Sequence, residues 1–100
     1  VVEFHTGAYC DAYIAGNQAR TAELLKRIEL ACALAHERGL EVHAGHGLTY
    51  DTVKPVAAIS QVKELNIGHF LIGEAIFRGL REAVTTMRGL IADARNEAAA

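Results

Sequence analysis

The sequence contains no tryptophan, a single proline, a single methionine and only two cysteines in 100 residues. Cys10 and Cys32 are too far apart for a metal-binding pair, and two thiols are more consistent with free buried cysteines than with a disulfide framework. Free thiols fit a reducing, cytoplasmic setting. Since no apolar run approaches the roughly 18 residues of a membrane span, we predict no membrane partner.

An excess of charge of one sign is also lacking. Ten basic and twelve acidic residues give a net charge of −2 and a pI near 6.2, so no nucleic-acid partner is predicted. A hydrophobic fraction of 51% is enough for a packed core, and the length allows one domain at most. The chain starts without methionine and reads as a strand at once, so we expect it to be cut from a longer protein.

Hydrophobic periodicity divides the chain into repeated βα units. We predict strands at 1–5 and 40–44 and a third strand with its terminal turn at 65–69. We also predict a loop at 7–16, helices at 17–38, 52–59, 70–77 and 80–98, and a frayed tail at 98–100. This order predicts an α/β fold with parallel strands joined by crossover helices. Three parallel strands cannot cover both of their faces, so we expect part of a larger barrel rather than an incomplete open sheet.

Each predicted strand end carries glycine beside polar side chains. Ligands bind at the carboxyl ends of parallel strands, where glycine lets the backbone approach a ligand closely. Gly47, Gly68 and His69 fit a phosphate site, because their backbone N–H groups and a short extra helix after Gly73 offer donors and a favourable dipole. No lysine or arginine occurs between Glu64 and Glu74, so backbone donors would do most of the binding.

The strand ends also offer groups for proton transfer. His46 lies between Gly45 and Gly47, and imidazole donates or accepts protons near neutral pH; the alternative is a turn whose histidine only faces solvent. Glu3 shares one face of the first strand with His5, which is either a site or an ordinary solvated face. We predict no metal site, since the sequence has no metal-binding motif.

Three segments together resemble the pyridoxine 5′-phosphate synthase family, the barrel enzymes of the deoxyxylulose-phosphate-dependent vitamin B6 pathway. They are residues 2–7 (VEFHTG), 44–50 (AGHGLTY) and 64–69 (ELNIGH), and the resemblance extends through all 100 residues. It implies that residues 1–100 are a partial domain, the C-terminal three βα units of a TIM (β/α)₈ barrel whose first five units are absent.

The resemblance implies a ring-closing condensation of 1-deoxy-D-xylulose 5-phosphate with 3-amino-2-oxopropyl phosphate, which gives pyridoxine 5′-phosphate, phosphate and water. It implies acid–base catalysis with no cofactor, by a cytoplasmic homo-octamer. His46 matches the family's proton donor and Glu3 matches a carboxylate that stabilises charge in the transition state. Gly47, Gly68 and His69 match positions that bind the aminooxopropyl phosphate. The family's other acid–base residues lie on earlier strands, so we expect residues 1–100 alone to be inactive.

Two other interpretations remain open at the level of sequence. A non-catalytic phosphate-ligand-binding module of barrel type would need Gly47, Gly68 and His69 but neither His46 nor Glu3. A purely structural fragment would need none of them, and its stability would not change when either phosphate compound is added.

Overall fold

Three parallel strands in the order β1–β2–β3 form one sheet in the computed structural model, which describes residues 1–99. The elements are β1 (Val2–His5), α1 (Gly7–Ile14), α2 (Gln18–Glu37), β2 (Val42–Gly45), α3 (Val53–Ala57), β3 (Val62–Asn66), α4 (His69–Arg78) and α5 (Leu80–Ala99). Helices alternate with parallel strands, so the predicted α/β class is confirmed.

The two faces of the sheet differ in polarity. One face carries apolar side chains that belong to the hydrophobic core or pack against it: Val2, Phe4, Val42, Ala44, Val62 and Leu65. The other face carries polar side chains, because Glu3 pairs with His43 across β1 and β2, and His43 pairs with Glu64 across β2 and β3. A register shift at Val42/His43 leaves Lys63 without a partner residue on β2, as in a β-bulge.

Helix α2 packs on the core face of β1 and β2. Its start was predicted correctly, because the Asn17 side chain accepts a hydrogen bond from the Arg20 N–H at 3.0 Å and so caps the helix. Its apolar stripe places Ile28, Cys32 and Ala35 in the core. Both cysteines are free and buried, as predicted.

Two predicted elements were wrong. Residues 7–14 of the predicted loop form helix α1, which packs against α2 and buries Tyr9, Cys10 and Ala12. The third strand was predicted three residues too late, since it ends at Asn66 and His69 already begins α4. Residues 98 and 99 of the predicted frayed tail are helical, since α5 ends at Ala99, and residue 100 lies outside the described residues.

The described part of the chain leaves several surfaces without a partner. Neither β1 nor β3 has a second neighbouring strand within residues 1–99. Helix α4 has no buried residue, and Ile72, Ile76 and Phe77 on it are 65%, 78% and 86% exposed. Within the same residues, no helix is both long and apolar enough to cross a membrane.

Candidate active site at the carboxyl edge of the sheet

One cleft of about 580 Å³ borders the carboxyl ends of β2 and β3 and reaches Glu3 on β1. Its lining comprises Glu3, His46, Gly47, Leu48, Thr49, Asn66, Ile67, Gly68, His69 and Phe70. All five residues that sequence reasoning singled out are therefore brought together, from three segments that are far apart in the chain. The lining contains neither lysine nor arginine, so an anion in this cleft would depend on backbone N–H groups and histidine.

The imidazole of His46 is exposed at the cleft on a constrained backbone. His46 has φ 91°, a left-handed conformation that is uncommon for residues other than glycine, and Gly47 continues it with φ 81°. The Thr6 hydroxyl donates a hydrogen bond of 2.6 Å to the His46 carbonyl oxygen, which fixes this turn to the end of β1. A backbone held in so rare a conformation is typical of functional sites.

Helix α1 supports the loop that follows His46. The Tyr9 hydroxyl donates to the Thr52 carbonyl oxygen at 3.0 Å, and the Thr52 hydroxyl accepts from the Thr49 N–H at 2.9 Å. A Cβ on Gly47 would lie 3.4 Å from the Cys10 Cβ, so the loop packs closely on the helix. Burial raises the pKa of the Cys10 thiol. Burial also raises the pKa of Tyr9, to about 12, and the neighbouring Cys10 and Tyr13 add to this shift. Both groups stay neutral near pH 7 and serve packing.

Glu3 projects from the polar face of β1 beside the cleft. Its carboxylate Oε1 accepts a hydrogen bond of 2.6 Å from the Asn66 side-chain amide, and its Oε2 lies 4.0 Å from His5 Nε2. The His5 ring stacks on the His46 ring, with centroids 5.6 Å apart and planes 11° from parallel. Glu3 and His46 thus face the same space, with His5 between them.

The opposite wall of the cleft is the start of α4. Gly68 is the N-cap residue and has no side chain to cap the helix, so the first-turn N–H groups of His69 and Phe70 remain available to a ligand. Phe70 packs edge-on against Tyr50 with ring centroids 4.5 Å apart, and the Tyr50 hydroxyl donates to the Ala83 carbonyl oxygen at 3.3 Å. These contacts fix the helix start against the His46 loop.

His43 does not line the cleft. Its ring nitrogens lie 2.6 Å from a Glu41 carboxylate oxygen and 3.2 Å from a Glu64 carboxylate oxygen, further down the polar face of the sheet. Over residues 1–99, no cluster of three or more histidine, cysteine, aspartate or glutamate side chains has the arrangement of a metal site.

Sequence reasoning missed the contributions of Thr6 and Asn66. Thr6 is fully buried and holds the His46 carbonyl, whereas Asn66 reaches Glu3 from two strands away. Both residues stand at strand ends, within the segments that carry the resemblance. That position was the only signal in the sequence that could have marked them as site residues. Their partners are 40 and 63 residues away, so no local pattern identifies them.

The fold and the cleft define an α/β protein of parallel βα units whose candidate site lies at the carboxyl edge of the sheet. The sequence profile of one family, described as "Pyridoxal phosphate biosynthesis protein PdxJ", matches residues 1–93. The chain belongs to this family.

Proteins named pyridoxine 5′-phosphate synthase are similar to the chain throughout. The protein of Caulobacter vibrioides strain NA1000 is 68% identical over 97 residues, which is 97% of this chain and 38% of the relative. That of Ruegeria pomeroyi is 62% identical over 95 residues, 95% of this chain and 38% of the relative. That of Caulobacter sp. strain K31 is 61% identical over 100 residues, all of this chain and 40% of the relative. The chain therefore spans about two fifths of the length of these relatives.

Proposed function

We propose that this chain is the part of a pyridoxine 5′-phosphate synthase that carries a proton donor and one phosphate-binding site. The reaction joins 1-deoxy-D-xylulose 5-phosphate to 3-amino-2-oxopropyl phosphate and releases phosphate and water. The observation that carries the proposal is the shared cleft: His46, Glu3, Gly47, Gly68 and His69 all line it. Membership of the family and relatives that bear the synthase name support the same activity.

The proposed architecture is a TIM barrel, of which residues 1–100 form the C-terminal three βα units as a partial domain. Parallel strands, a polar sheet face and strand edges that lack partners within the described residues support this. In such barrels, active sites lie at the carboxyl edge, and the last two strands with a short extra helix commonly bind phosphate. Helix α4, after β3, would be that extra helix.

His46 is the proposed proton donor. Imine formation, loss of water and ring closure each move protons, and an imidazole suits that task near neutral pH. The exposed ring faces the cleft, while the left-handed backbone and the Thr6 hydrogen bond hold its main chain in place.

Glu3 is the proposed stabiliser of positive charge in the transition state. A carboxylate held in advance where a cation develops lowers the barrier, because no reorganisation is needed at the moment of reaction. Gly47, Gly68 and His69 are the proposed contacts of the aminooxopropyl phosphate, with first-turn N–H groups of α4 as anion donors.

We further propose a cytoplasmic homo-octamer that needs no cofactor. The two free, buried thiols are compatible with a reducing compartment. Further subunits would cover the exposed apolar side chains of α4.

The test is a synthase assay on the natural protein that carries this sequence, after its intact mass is measured. With both substrates, the protein should form pyridoxine 5′-phosphate. The substitution His46→Asn should lower turnover by about 100-fold or more, while affinity for 3-amino-2-oxopropyl phosphate changes little, because general acid catalysis contributes roughly 10²- to 10⁴-fold. The matched control is His36→Asn, on an exposed histidine in the last turn of α2, and should leave turnover unchanged.

Each other outcome would point to a different function or mechanism. Binding of the phosphate compounds without turnover would favour a non-catalytic phosphate-ligand-binding module. No turnover and no change in the unfolding temperature with either compound would leave a structural role only. Full activity of the His46→Asn variant would remove His46 from the mechanism.

A further inference from the structure

We propose that Asn66 is a positioning residue that orients the Glu3 carboxylate toward the cleft. This inference rests on the proposed function, because it assigns Asn66 to the charge-stabilising part of the same site. The Asn66 side-chain amide donates to Glu3 Oε1 at 2.6 Å, and both residues line the cleft. Among residues 1–99, Asn66 is the only residue whose side chain donates a hydrogen bond to Glu3.

The bridge crosses the middle strand of the sheet. Glu3 lies on β1 and Asn66 lies at the end of β3, so β2 separates them. The register places Asn66 beside Gly45, and Gly45 beside His5 on β1. A Cβ at Gly45 would stand 2.5 Å from the Asn66 carbonyl oxygen and 3.0 Å from the Asn66 Cβ. Because Gly45 has no side chain, β3 approaches closely and the Asn66 side chain can reach over β2.

The hydrogen bond occupies one carboxylate oxygen and leaves the other for chemistry. Oε1 is held by Asn66, whereas the nearest basic group to Oε2 is His5 Nε2 at 4.0 Å. The Glu3 side chain is 39% exposed, so without a partner it would be free to sample several rotamers. A neutral amide donor orients the carboxylate and leaves its negative charge in place, whereas a lysine or arginine partner would cancel that charge.

The geometry also links the charge-stabilising carboxylate of Glu3 to the proposed phosphate-binding site at the start of α4. Asn66 stands two residues before Gly68, the N-cap of α4, so one short segment holds Glu3 at its start and offers the phosphate-binding N–H groups at its end. The distance between the stabilising charge and the bound phosphate is therefore set by residues 66–69. A 1 Å error in such a distance can cost about 100-fold in rate.

The experiment is a double-mutant cycle in the natural full-length protein, with kcat, KM and unfolding temperature measured for each variant. Asn66→Asp keeps the shape of the side chain but removes the donor and places a second carboxylate beside Glu3. Asn66→Ala removes the group entirely. Both should lower kcat by about 10-fold or more with KM for 3-amino-2-oxopropyl phosphate nearly unchanged, and Asn66→Asp should be the more severe. Asn96→Ala, on the exposed surface of α5, is the matched control and should leave kcat unchanged.

The second arm asks whether Asn66 acts through Glu3. In the Glu3→Gln background, Asn66→Ala should lower kcat by less than about twofold further, because the carboxylate that it orients is already gone. Equal losses in both backgrounds, or an Asn66→Asp variant with normal kcat, would overturn the positioning role.

Failure of the proposed function can be told apart from failure of this inference. If the unsubstituted protein makes no pyridoxine 5′-phosphate, the proposed function fails, and the pairing is then judged by NMR. Glu3→Gln should shift the Asn66 side-chain amide resonance and leave that of Asn96 in place. An unmoved Asn66 resonance would show that the two side chains are not paired.

Discussion

His46 carries the conformation on which the candidate site depends. Its φ of 91° turns the chain at the end of β2, and Thr6 and Gly47 are the neighbours that make the turn possible. Gly7 is the third such neighbour, since a Cβ there would lie 2.8 Å from His46 Cδ2. The imidazole thus lies against the first residue of α1, and the space for it depends on the absence of a side chain.

Replacing Gly7 should therefore affect catalysis more than folding. Gly7→Ala would push the His46 ring, which can rotate, so the free energy of unfolding should change by less than about 1 kcal/mol. Displacement of the proposed proton donor should lower kcat by about 10- to 100-fold. Enzyme assays and urea unfolding of the natural protein measure both quantities.

The control is Gly89→Ala in α5, where an added Cβ would meet nothing within 4 Å. It should raise the free energy of unfolding by about 0.5–1 kcal/mol, because alanine favours a helix more than glycine does, and should leave kcat alone. A Gly7→Ala variant that loses stability in proportion to activity would show that Gly7 is only a packing position.

At the scale of elements, α1 is the support of the His46 loop. The Tyr9 hydroxyl joins this helix to the residue before α3, and Tyr9 is 2% exposed. Burial, together with Cys10 and Tyr13, raises the pKa of Tyr9 to about 12. The folded protein thus keeps a proton that the unfolded chain releases at lower pH.

This difference predicts a loss of stability in alkali. A tyrosine in the unfolded chain ionises near its ordinary pKa of about 10, so below that pH Tyr9 makes its full contribution to the free energy of unfolding. Between pH 10 and about 12, the unfolded chain binds fewer protons than the folded protein, and the free energy of unfolding falls as pH rises, by up to roughly 2–3 kcal/mol. Urea unfolding across this range should show the slope.

Tyr9→Phe should remove that part of the slope and lower stability at pH 7 by about 1 kcal/mol, since the Thr52 carbonyl loses its donor. Tyr13→Phe is the control, because Tyr13 is 46% exposed and adds less to the Tyr9 pKa than burial does, and it should keep most of the slope. The same slope in the Tyr9→Phe variant would show that other groups cause it.

At the scale of the whole molecule, the described residues leave both a polar sheet face and apolar helix surfaces open. Ile76, Phe77 and Leu80, around the junction of α4 and α5, are 78%, 86% and 62% exposed. Exposed apolar surface of this kind marks a site where further protein packs. The chain spans about two fifths of its relatives, which agrees with a site completed by other segments.

We therefore expect a polypeptide of residues 1–100 alone to lack synthase turnover and to bind a hydrophobic dye. The proposed barrel supplies further acid–base residues from its other strands, and the isolated polypeptide would lack them. Assays of this polypeptide beside the natural protein at equal concentration make the comparison. Turnover by the isolated polypeptide would contradict both the partial-barrel architecture and the need for those residues.

Local patterns predicted some elements well and others poorly. Helix α2 was predicted closely because a capping asparagine, an apolar stripe and Gly39 with φ 78° mark its ends and its face. Helix α1 was missed because its segment GAYCDAYI combines glycine, aromatic and cysteine residues of modest helix propensity and has no clear apolar stripe. Its helical form depends on burying Tyr9, Cys10 and Ala12 against other elements.

The sequence by itself determined the α/β class, because hydrophobic periodicity is a local feature, and its glycine-flanked strand ends marked His46, Gly47, Gly68 and His69 as candidate residues. The proposed function class and the role of Glu3 came from the resemblance to a known family. Only the tertiary structure decided that β3 already starts at Val62, since its bulge at Lys63 breaks the alternation of apolar and polar residues. Only the tertiary structure joined Asn66 to Glu3 and Thr6 to His46. The partners in these two hydrogen bonds are separated by 63 and 40 positions in the sequence. Such bonds arise from the register of parallel strands, which packing sets and no short stretch of sequence encodes.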